Sequence, residues 1–230
     1  NYNVVVGDEA GTAITTGDSN IAIGFEALKT EDANSFNVAI GHQALKVNNG
    51  GDANVAIGYT ALAANTTANN NVAIGNGSMG TNTTGTFNVG VGQGSLAANT
   101  TADNNTAVGS SALTANTTGH SLSAVGEGSL DANTTGVGNN AVGRDALGAN
   151  TTGSSNSAMG RDALSTNTTG ASNVAIGDSS LLNNTTASNN TAVGQSALLA
   201  NTTGTRMTSV GSRSGMQNTT GNYNAFVGYD

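Results

Sequence analysis

The side chains that could support catalysis or metal binding are few and scattered along this 230-residue chain. The two histidines, His42 and His120, fall at different phases of a 17-residue repeat, and no cluster of further ligand-type residues accompanies either one. A metal site requires several converging ligands, and a Ser/His/Asp relay requires a positioned base and a group that orients it. The sequence therefore predicts no catalytic residue, no metal site and no cofactor.

Two carboxylates offer the only arrangement related to glycoside cleavage, a reaction that uses a pair of Asp or Glu residues. Asp145 and Asp162 occupy equivalent places 17 residues apart, directly after Arg144 and Arg161. We interpret this pattern as alternating charge along a solvated edge. A polysaccharide-degrading enzyme remains the alternative to a non-enzymatic protein.

Asn-x-Thr triplets recur along most of the chain, and each is a formal acceptor for N-glycosylation. The same residues also suit turns, because asparagine bonds to nearby backbone and glycine accepts positive φ. We favour turn chemistry combined with an asparagine ladder, and glycosylation remains the alternative. The triplets begin at Asn65, Asn82, Asn99, Asn116, Asn133, Asn150, Asn167, Asn184, Asn201 and Asn218.

Threonine pairs within these triplets resemble the arrays of ice-binding proteins, so an ice-binding solenoid is a further alternative. Such a face requires a flat threonine array. Thr66 and Thr67 are adjacent, and adjacent side chains of an extended segment point to opposite sides. The pattern therefore favours the turn interpretation.

The element that positions all of these residues is a 17-residue repeat marked by glycine. Self-similarity at a fixed short period indicates a solenoid, in which each repeat buries its apolar side chains by stacking on its neighbours. We therefore predict one continuous β-solenoid array over residues 1–230. The repeat glycines are Gly7, Gly24, Gly41, Gly58, Gly75, Gly92, Gly109, Gly126, Gly143, Gly160, Gly177, Gly194, Gly211 and Gly228.

An apolar residue precedes every repeat glycine, and a small residue, usually alanine, precedes that one. Branched residues in a short run that ends at glycine indicate a strand. The two rows must face opposite ways, so a single coil hides only one of them and the other requires a second surface. We predict homotrimers on this basis. The row assigned to the repeat core is Ile23, Ile40, Ile57, Ile74, Val91, Val108, Val125, Val142, Met159, Ile176, Val193 and Val210.

The second half of each repeat pairs a small residue with a larger apolar one, as in Ala61-Leu62 and Ala112-Leu113. A segment this short falls below the usual length of a helix, whereas two strands of about five residues and two turns fill a 17-residue coil. We therefore predict a two-stranded coil, with a single helical turn in the second half as the alternative.

Composition restricts the partners of the chain. A net charge of −8, a pI near 4.4 and only six Lys and Arg residues argue against binding to nucleic acid. No apolar run reaches the ~20 residues of a membrane span, so we predict no membrane insertion within this segment. The chain opens at Asn1 with neither an initiator Met nor a signal peptide, and we expect a fragment of a longer fibre protein.

The repeats Asn54-Val55-Ala56-Ile57-Gly58 and 173–177 (Asn-Val-Ala-Ile-Gly) resemble the head repeats of YadA-like trimeric autotransporter adhesins and the related repeats of phage tail-fibre proteins. The resemblance covers the whole chain. It implies a left-handed parallel β-roll, assembled as a homotrimer, in an extracellular fibre on a virion or a bacterial cell surface. A host surface receptor or glycan would be its partner. The regular 17-residue coil and the Asn-Thr-Thr-Gly turns depart from the adhesin pattern.

Overall fold

A computed structural model describes residues 2–30 and 33–230, and within them the protein is all-β. It contains fourteen parallel strands, one in each 17-residue coil, and the described residues include no helix. The prediction of a parallel β-solenoid with 17-residue coils is confirmed. None of the described residues belongs to a helix able to cross a membrane.

The chain divides into two compact units, Asn1–Thr118 and Gly119–Asp230, and each contains seven strands of three residues. The first unit contains β1 Val4–Val6, β2 Ile21–Ile23, β3 Val38–Ile40, β4 Val55–Ile57, β5 Val72–Ile74, β6 Val89–Val91 and β7 Thr106–Val108. The second contains β8 Ser123–Val125, β9 Asn140–Val142, β10 Ser157–Met159, β11 Val174–Ile176, β12 Thr191–Val193, β13 Thr208–Val210 and β14 Ala225–Val227.

Strand pairing within each unit follows the repeat without a shift in register. Ile57 of β4 pairs with Ile74 of β5, and in the second unit Met159 of β10 pairs with Ile176 of β11. Each residue therefore stacks on the residue 17 positions away. The predicted row of residues before the repeat glycines is confirmed as a stacked row in each unit.

The interior of the coils is formed by the alanine and leucine rows together with asparagine. Ala73 in the middle of β5 and Leu62 in the second half of its coil are both fully buried. The largest fully buried side chains are Leu28, Leu45, Leu62, Met79, Leu96, Leu113, Leu122, Leu130, Leu147, Leu164, Leu181 and Leu198.

The residues before the repeat glycines lie on the outer side of the sheet, so their assignment to the core is wrong for the single chain. Val108 is 37% exposed and Met159 is 54% exposed, and the other members are half-buried or exposed. The misplaced row is Ile23, Ile40, Ile57, Ile74, Val91, Val108, Val125, Val142, Met159, Ile176, Val193 and Val210.

The narrow interior explains why the small residues face inward and the Ile/Val row faces outward. Gly90 replaces alanine in the inward row, and a Cβ added there would lie 2.7 Å from Ser78 Oγ and 3.4 Å from Met79 Cε. The side chains of the opposite wall therefore reach the sheet backbone. From β2 to β13 this row contains only Ala, Ser or Gly, which fit against the leucine layer at this distance. The larger Val5 and Phe226 occur in the terminal strands β1 and β14.

The second half of the coil is a series of turns, so the predicted second strand is wrong, and so is the helical alternative. Thr60 and Leu62 both have φ of 50°, a left-handed conformation that neither a strand nor a right-handed helix contains. The Leu62 N–H donates to the Ser78 carbonyl at 3.0 Å, and the Thr60 N–H donates to the His42 carbonyl at 3.0 Å. Hydrogen bonds to both neighbouring coils thus offset the unfavourable backbone conformation.

Glycine is required at the end of each strand for two reasons. Gly75 has φ of 134°, a region open only to glycine at low energy. A Cβ added to it would also lie 2.5 Å from the Gly92 carbonyl oxygen. The repeat glycines therefore bring the backbones of successive coils close together.

We predict that Leu62→Ala destabilises its coils by about 2–5 kcal/mol, because truncation of a buried leucine leaves a cavity in a close-packed interior. Amide hydrogen exchange of the neighbouring coils is the appropriate measurement, since repeat arrays need not unfold in two states. Thr67→Ala, at an exposed position of the same coil, is the control. Equal effects of the two substitutions would contradict the assignment of the leucine row to the core.

Candidate interaction surface

The outer side of the sheet carries two apolar rows, formed by the first and third residues of each strand, which we call the outer apolar face. In the first unit both rows are aliphatic over β2 to β6, with Val55 and Ile57 of β4 as an example. Both residues are half-buried, and the alanine between them is fully buried. None of the fourteen strands contains a charged residue. The chain itself leaves this face open.

In the second unit the first row is polar in five of the seven strands, with Val174 and Ala225 as the exceptions, while the third row remains apolar. Asn140 and Ser157 begin β9 and β10, and Val142 and Met159 end them. These four residues, together with Ile176, line a shallow groove of about 210 Å³. The outer apolar face is thus narrower in this unit.

An aromatic column borders the outer apolar face in the first unit. Phe25, His42 and Tyr59 each follow a repeat glycine, and their ring centroids lie 5.1 Å and 5.2 Å apart. The Phe25 and His42 rings are tilted by 35°, and the His42 and Tyr59 rings stack with an angle of 23°, so each ring partly covers the next. The column places His42 between two aromatic rings. No group of three or more potential metal ligands occurs among the described residues.

The asparagines of the Asn-Thr-Thr turns form a ladder in the interior, as the favoured interpretation predicted. Asn167 Nδ2 donates to Asn150 Oδ1 at 2.9 Å and to the Gly170 carbonyl at 3.0 Å. The folded chain therefore presents no free amide for a glycan at the fully buried members of this row, which are Asn65, Asn82, Asn99, Asn116, Asn133, Asn150, Asn167, Asn184 and Asn201. Asn218 is half-buried, and its amide donates to Met207 Sδ at 3.0 Å.

A second asparagine ladder, which the sequence interpretation missed, precedes the strands. Asn71 Oδ1 accepts from the Asn88 backbone N–H at 2.9 Å, and Asn71 Nδ2 donates to the Gly85 carbonyl at 2.9 Å. Leu122 and Met207 replace asparagine in this row and are also buried. The signal in the sequence was an asparagine kept at one phase of the repeat, two residues before the inward-facing alanine and therefore on the same side of the chain.

The two threonines of each Asn-Thr-Thr turn have different roles. The Thr66 hydroxyl donates to the Thr83 carbonyl at 3.0 Å, and the Thr151 hydroxyl donates to the Thr168 carbonyl at 3.1 Å. The second threonine of each pair, such as Thr67, is exposed. The first threonine therefore extends the ladder between coils, and only one of the two rows is fully exposed.

Asp145 and Asp162 each pair with the arginine that precedes them. The Arg144 Nε to Asp145 Oδ2 and Arg161 Nε to Asp162 Oδ2 distances are both 3.4 Å. Arg161 also reaches Asp178 at 2.9 Å. Hydrogen bonds from Ser179 and Arg161 lower the pKa of Asp178. The arrangement agrees with alternating charge along an exposed edge.

An ionic cluster lies on the first unit. Glu26 accepts hydrogen bonds from Lys29 at 2.7 Å and Gln43 at 2.7 Å, and it pairs with Lys46 at 2.6 Å. Lys29 also pairs with Glu9. The hydrogen bond from Lys29, followed by those from Lys46 and Gln43, lowers the pKa of Glu26 to about 2. Glu26 and Glu9 raise the pKa of Lys29.

Comparison with known proteins identifies no relative of this chain. No family model matches it, and neither a curated protein nor a solved structure does. Its function is therefore inferred from the geometry of the described residues and from the repeat motif.

We predict that Asn150→Ala destabilises the neighbouring coils by about 1–3 kcal/mol, because it leaves buried amide groups of the ladder without a partner. Thr152→Ala, an exposed substitution in the same turn, is the control. Hydrogen exchange of residues in the adjoining coils measures the difference. Equal protection in the two variants would show that the ladder contributes little to stability.

We predict that the Glu26 cluster weakens in acid. The pKa of Glu26 falls from its ordinary value of 4.5 to about 2 on folding, so its stabilising effect is complete above about pH 4.5 and is lost as pH falls towards about 2. Thermal melting across this range should show a steeper loss for the wild-type protein than for Glu26→Gln. Parallel curves for the two proteins would contradict the assigned pKa.

Proposed function

We propose that this chain is a structural and adhesive segment of a surface fibre, in which three copies associate in parallel through the outer apolar face. We further propose that its coils wind in the left-handed sense. One observation carries the proposal: aliphatic rows remain uncovered along successive coils of the first unit, while the Ala and Leu rows already fill the interior. Soluble monomers rarely leave a large contiguous apolar surface open to water.

The repeat makes a second copy of the same chain the natural partner for this face. Each added coil presents the same side chains at the same spacing, so the contact area grows with the number of coils. Burial of apolar surface stabilises association by roughly 25 cal/mol per Å². The strands contain no charged residue, so their side chains bring no like charges together.

Two different rows on one face support a cyclic trimer. In a ring of three, the first-residue row of one copy packs against the third-residue row of the next, and the ring closes. Val72 and Ile74 of β5 illustrate such a pair of rows. The resemblance of the Asn-Val-Ala-Ile-Gly motif to trimeric adhesin heads and phage tail-fibre repeats supports three copies, a left-handed coil and an extracellular setting on a virion or cell surface.

The adhesive part of the proposal concerns the surfaces that such a trimer leaves open. Exposed threonines recur along the coils, and the aromatic column extends over three of them. Three copies of the chain would display these side chains together. Repetition converts weak contacts with a host receptor or glycan into avidity. The net charge of −8 argues against nucleic acid as the partner.

The two alternatives receive less support from the geometry. Asp145 and Asp162 each pair with the arginine before them on the surface, whereas glycoside cleavage requires two carboxyl groups that flank one scissile bond. Only one threonine row is fully exposed, whereas an ice-binding face requires a flat array. Digestion of capsular polysaccharide, or inhibition of ice recrystallisation, by the full chain would each overturn the proposed function.

We predict that Ile57→Asp reduces assembly while the solenoid remains folded, because Ile57 is half-buried on the outer apolar face and points away from the interior. Mass photometry should show trimers for the wild-type chain and a shift to monomers for the variant, with unchanged β-type circular dichroism. Thr67→Asp, which places the same charge at an exposed turn position, should leave trimers intact. A wild-type chain that stays monomeric, or equal effects of both substitutions, would contradict the interface.

A further inference from the structure

The sequence contains two Asn-Gly pairs, Asn49-Gly50 and Asn76-Gly77, and both asparagines are exposed. In such a pair the glycine nitrogen is a nucleophile next to the asparagine side-chain carbonyl, and the missing Cβ leaves little steric hindrance. Cyclisation requires the glycine N–H to be free of a competing hydrogen bond. The two pairs differ in this respect.

The Gly77 N–H is held in the solenoid, because it donates to the Tyr59 carbonyl at 2.9 Å. The Gly50 N–H has no hydrogen-bond acceptor among residues 2–30 and 33–230. The Thr66 carbonyl of the next coil accepts from the Asn49 N–H at 2.9 Å, as the Thr83 carbonyl does from the Thr66 N–H at 2.9 Å. Gly50 is therefore the more available nucleophile.

The next coil contains a backbone hydrogen bond that Gly50 lacks. Thr67 occupies the equivalent position one coil later, and its N–H donates to the Thr83 carbonyl at 3.3 Å. The Asn49 side chain is also unrestrained, with no hydrogen bond to any of the described residues, whereas the preceding Asn48 is buried and donates to the Gly51 carbonyl at 2.7 Å. Both reacting groups of the Asn49-Gly50 pair are thus free to move.

We propose that Asn49 is a site of spontaneous modification, at which the folded chain deamidates itself in preference to Asn76. Solvent hydroxide removes the Gly50 amide proton, and the nitrogen attacks Asn49 Cγ. A C–N bond forms, the bond from Cγ to Nδ2 breaks, and the nitrogen leaves as ammonia with a proton from water. Water then opens the cyclic imide at either carbonyl, which yields aspartate or isoaspartate. One water is consumed, one ammonia is released, and nothing is oxidised or reduced.

The product changes the turn in two ways. It adds one negative charge to a chain whose net charge is already −8. Isoaspartate also lengthens the backbone by one carbon at a position where Thr66 of the next coil uses its hydroxyl to donate to the Thr83 carbonyl. The added backbone atom alters the spacing of the modified coil against its neighbour.

The test is incubation of the full chain at mildly alkaline pH, followed by peptide mapping that separates aspartate from isoaspartate. We expect deamidation at Asn49 to proceed at least about tenfold faster than at Asn76, because the Gly77 N–H must first be released from the ladder. In denaturant the two sites should react at similar rates, since both have the Asn-Gly sequence. Asn49→Thr, which restores the residue found at this position in Asn-Thr-Thr coils, should abolish the acidic isoform.

Equal rates at the two sites in the folded chain would overturn the proposal. A preference for Asn49 that persists unchanged in denaturant would also overturn it, because the cause would then be the flanking sequence and not the hydrogen bond. Both results are independent of the oligomeric state and of the proposed adhesive function.

Discussion

The structure depends on one constraint: most residues have the residue 17 positions away as a nearest neighbour, at the spacing of a backbone hydrogen bond. A side chain must therefore tolerate its own copy above and below. Asparagine meets this condition in the interior because it carries both a donor and an acceptor, so Asn150 and Asn167 pair directly. Aspartate in the same row would repel its copies. The same constraint explains why only 9% of the residues are charged.

Large side chains are excluded from the inward-facing row of the strands, and this determines which residues lie on the surface. Alanine in the middle of ten of the fourteen strands lets the leucine wall approach the sheet, and the branched residues are then placed outside. In most small proteins such residues form the core. Here they form a surface, which links the packing of the coil to the way in which copies of the chain would associate.

The sequence was sufficient for the period, the parallel stacking, the opposite orientation of the alanine and Ile/Val rows, and the turn asparagines. The sequence did not show which side of the sheet faces inward. Alternation shows that the two rows lie on opposite sides of a strand, but it does not show which row is buried. The second strand was predicted from length, whereas Leu62 and its equivalents adopt positive φ. Propensity disfavours that conformation for leucine, and only the hydrogen bonds to neighbouring coils make it acceptable. The ladder before the strands was not recognised because its asparagines were treated only as the start of the strand motif.

Because the coils are nearly identical, they could pack in more than one register, and the positions that depart from the repeat favour one of these registers. A coil that packed against the wrong copy of the repeat would keep most of its backbone hydrogen bonds, so a uniform array would have many registers of similar energy. Gly90 fits because Ser78 lies opposite it, and Leu122 and Met207 each break an asparagine row at one coil. Among residues 2–30 and 33–230, a column of three rings occurs at Phe25, His42 and Tyr59. These departures from the repeat distinguish individual coils, so a coil packed against the wrong copy of the repeat would lose the contacts that these residues make.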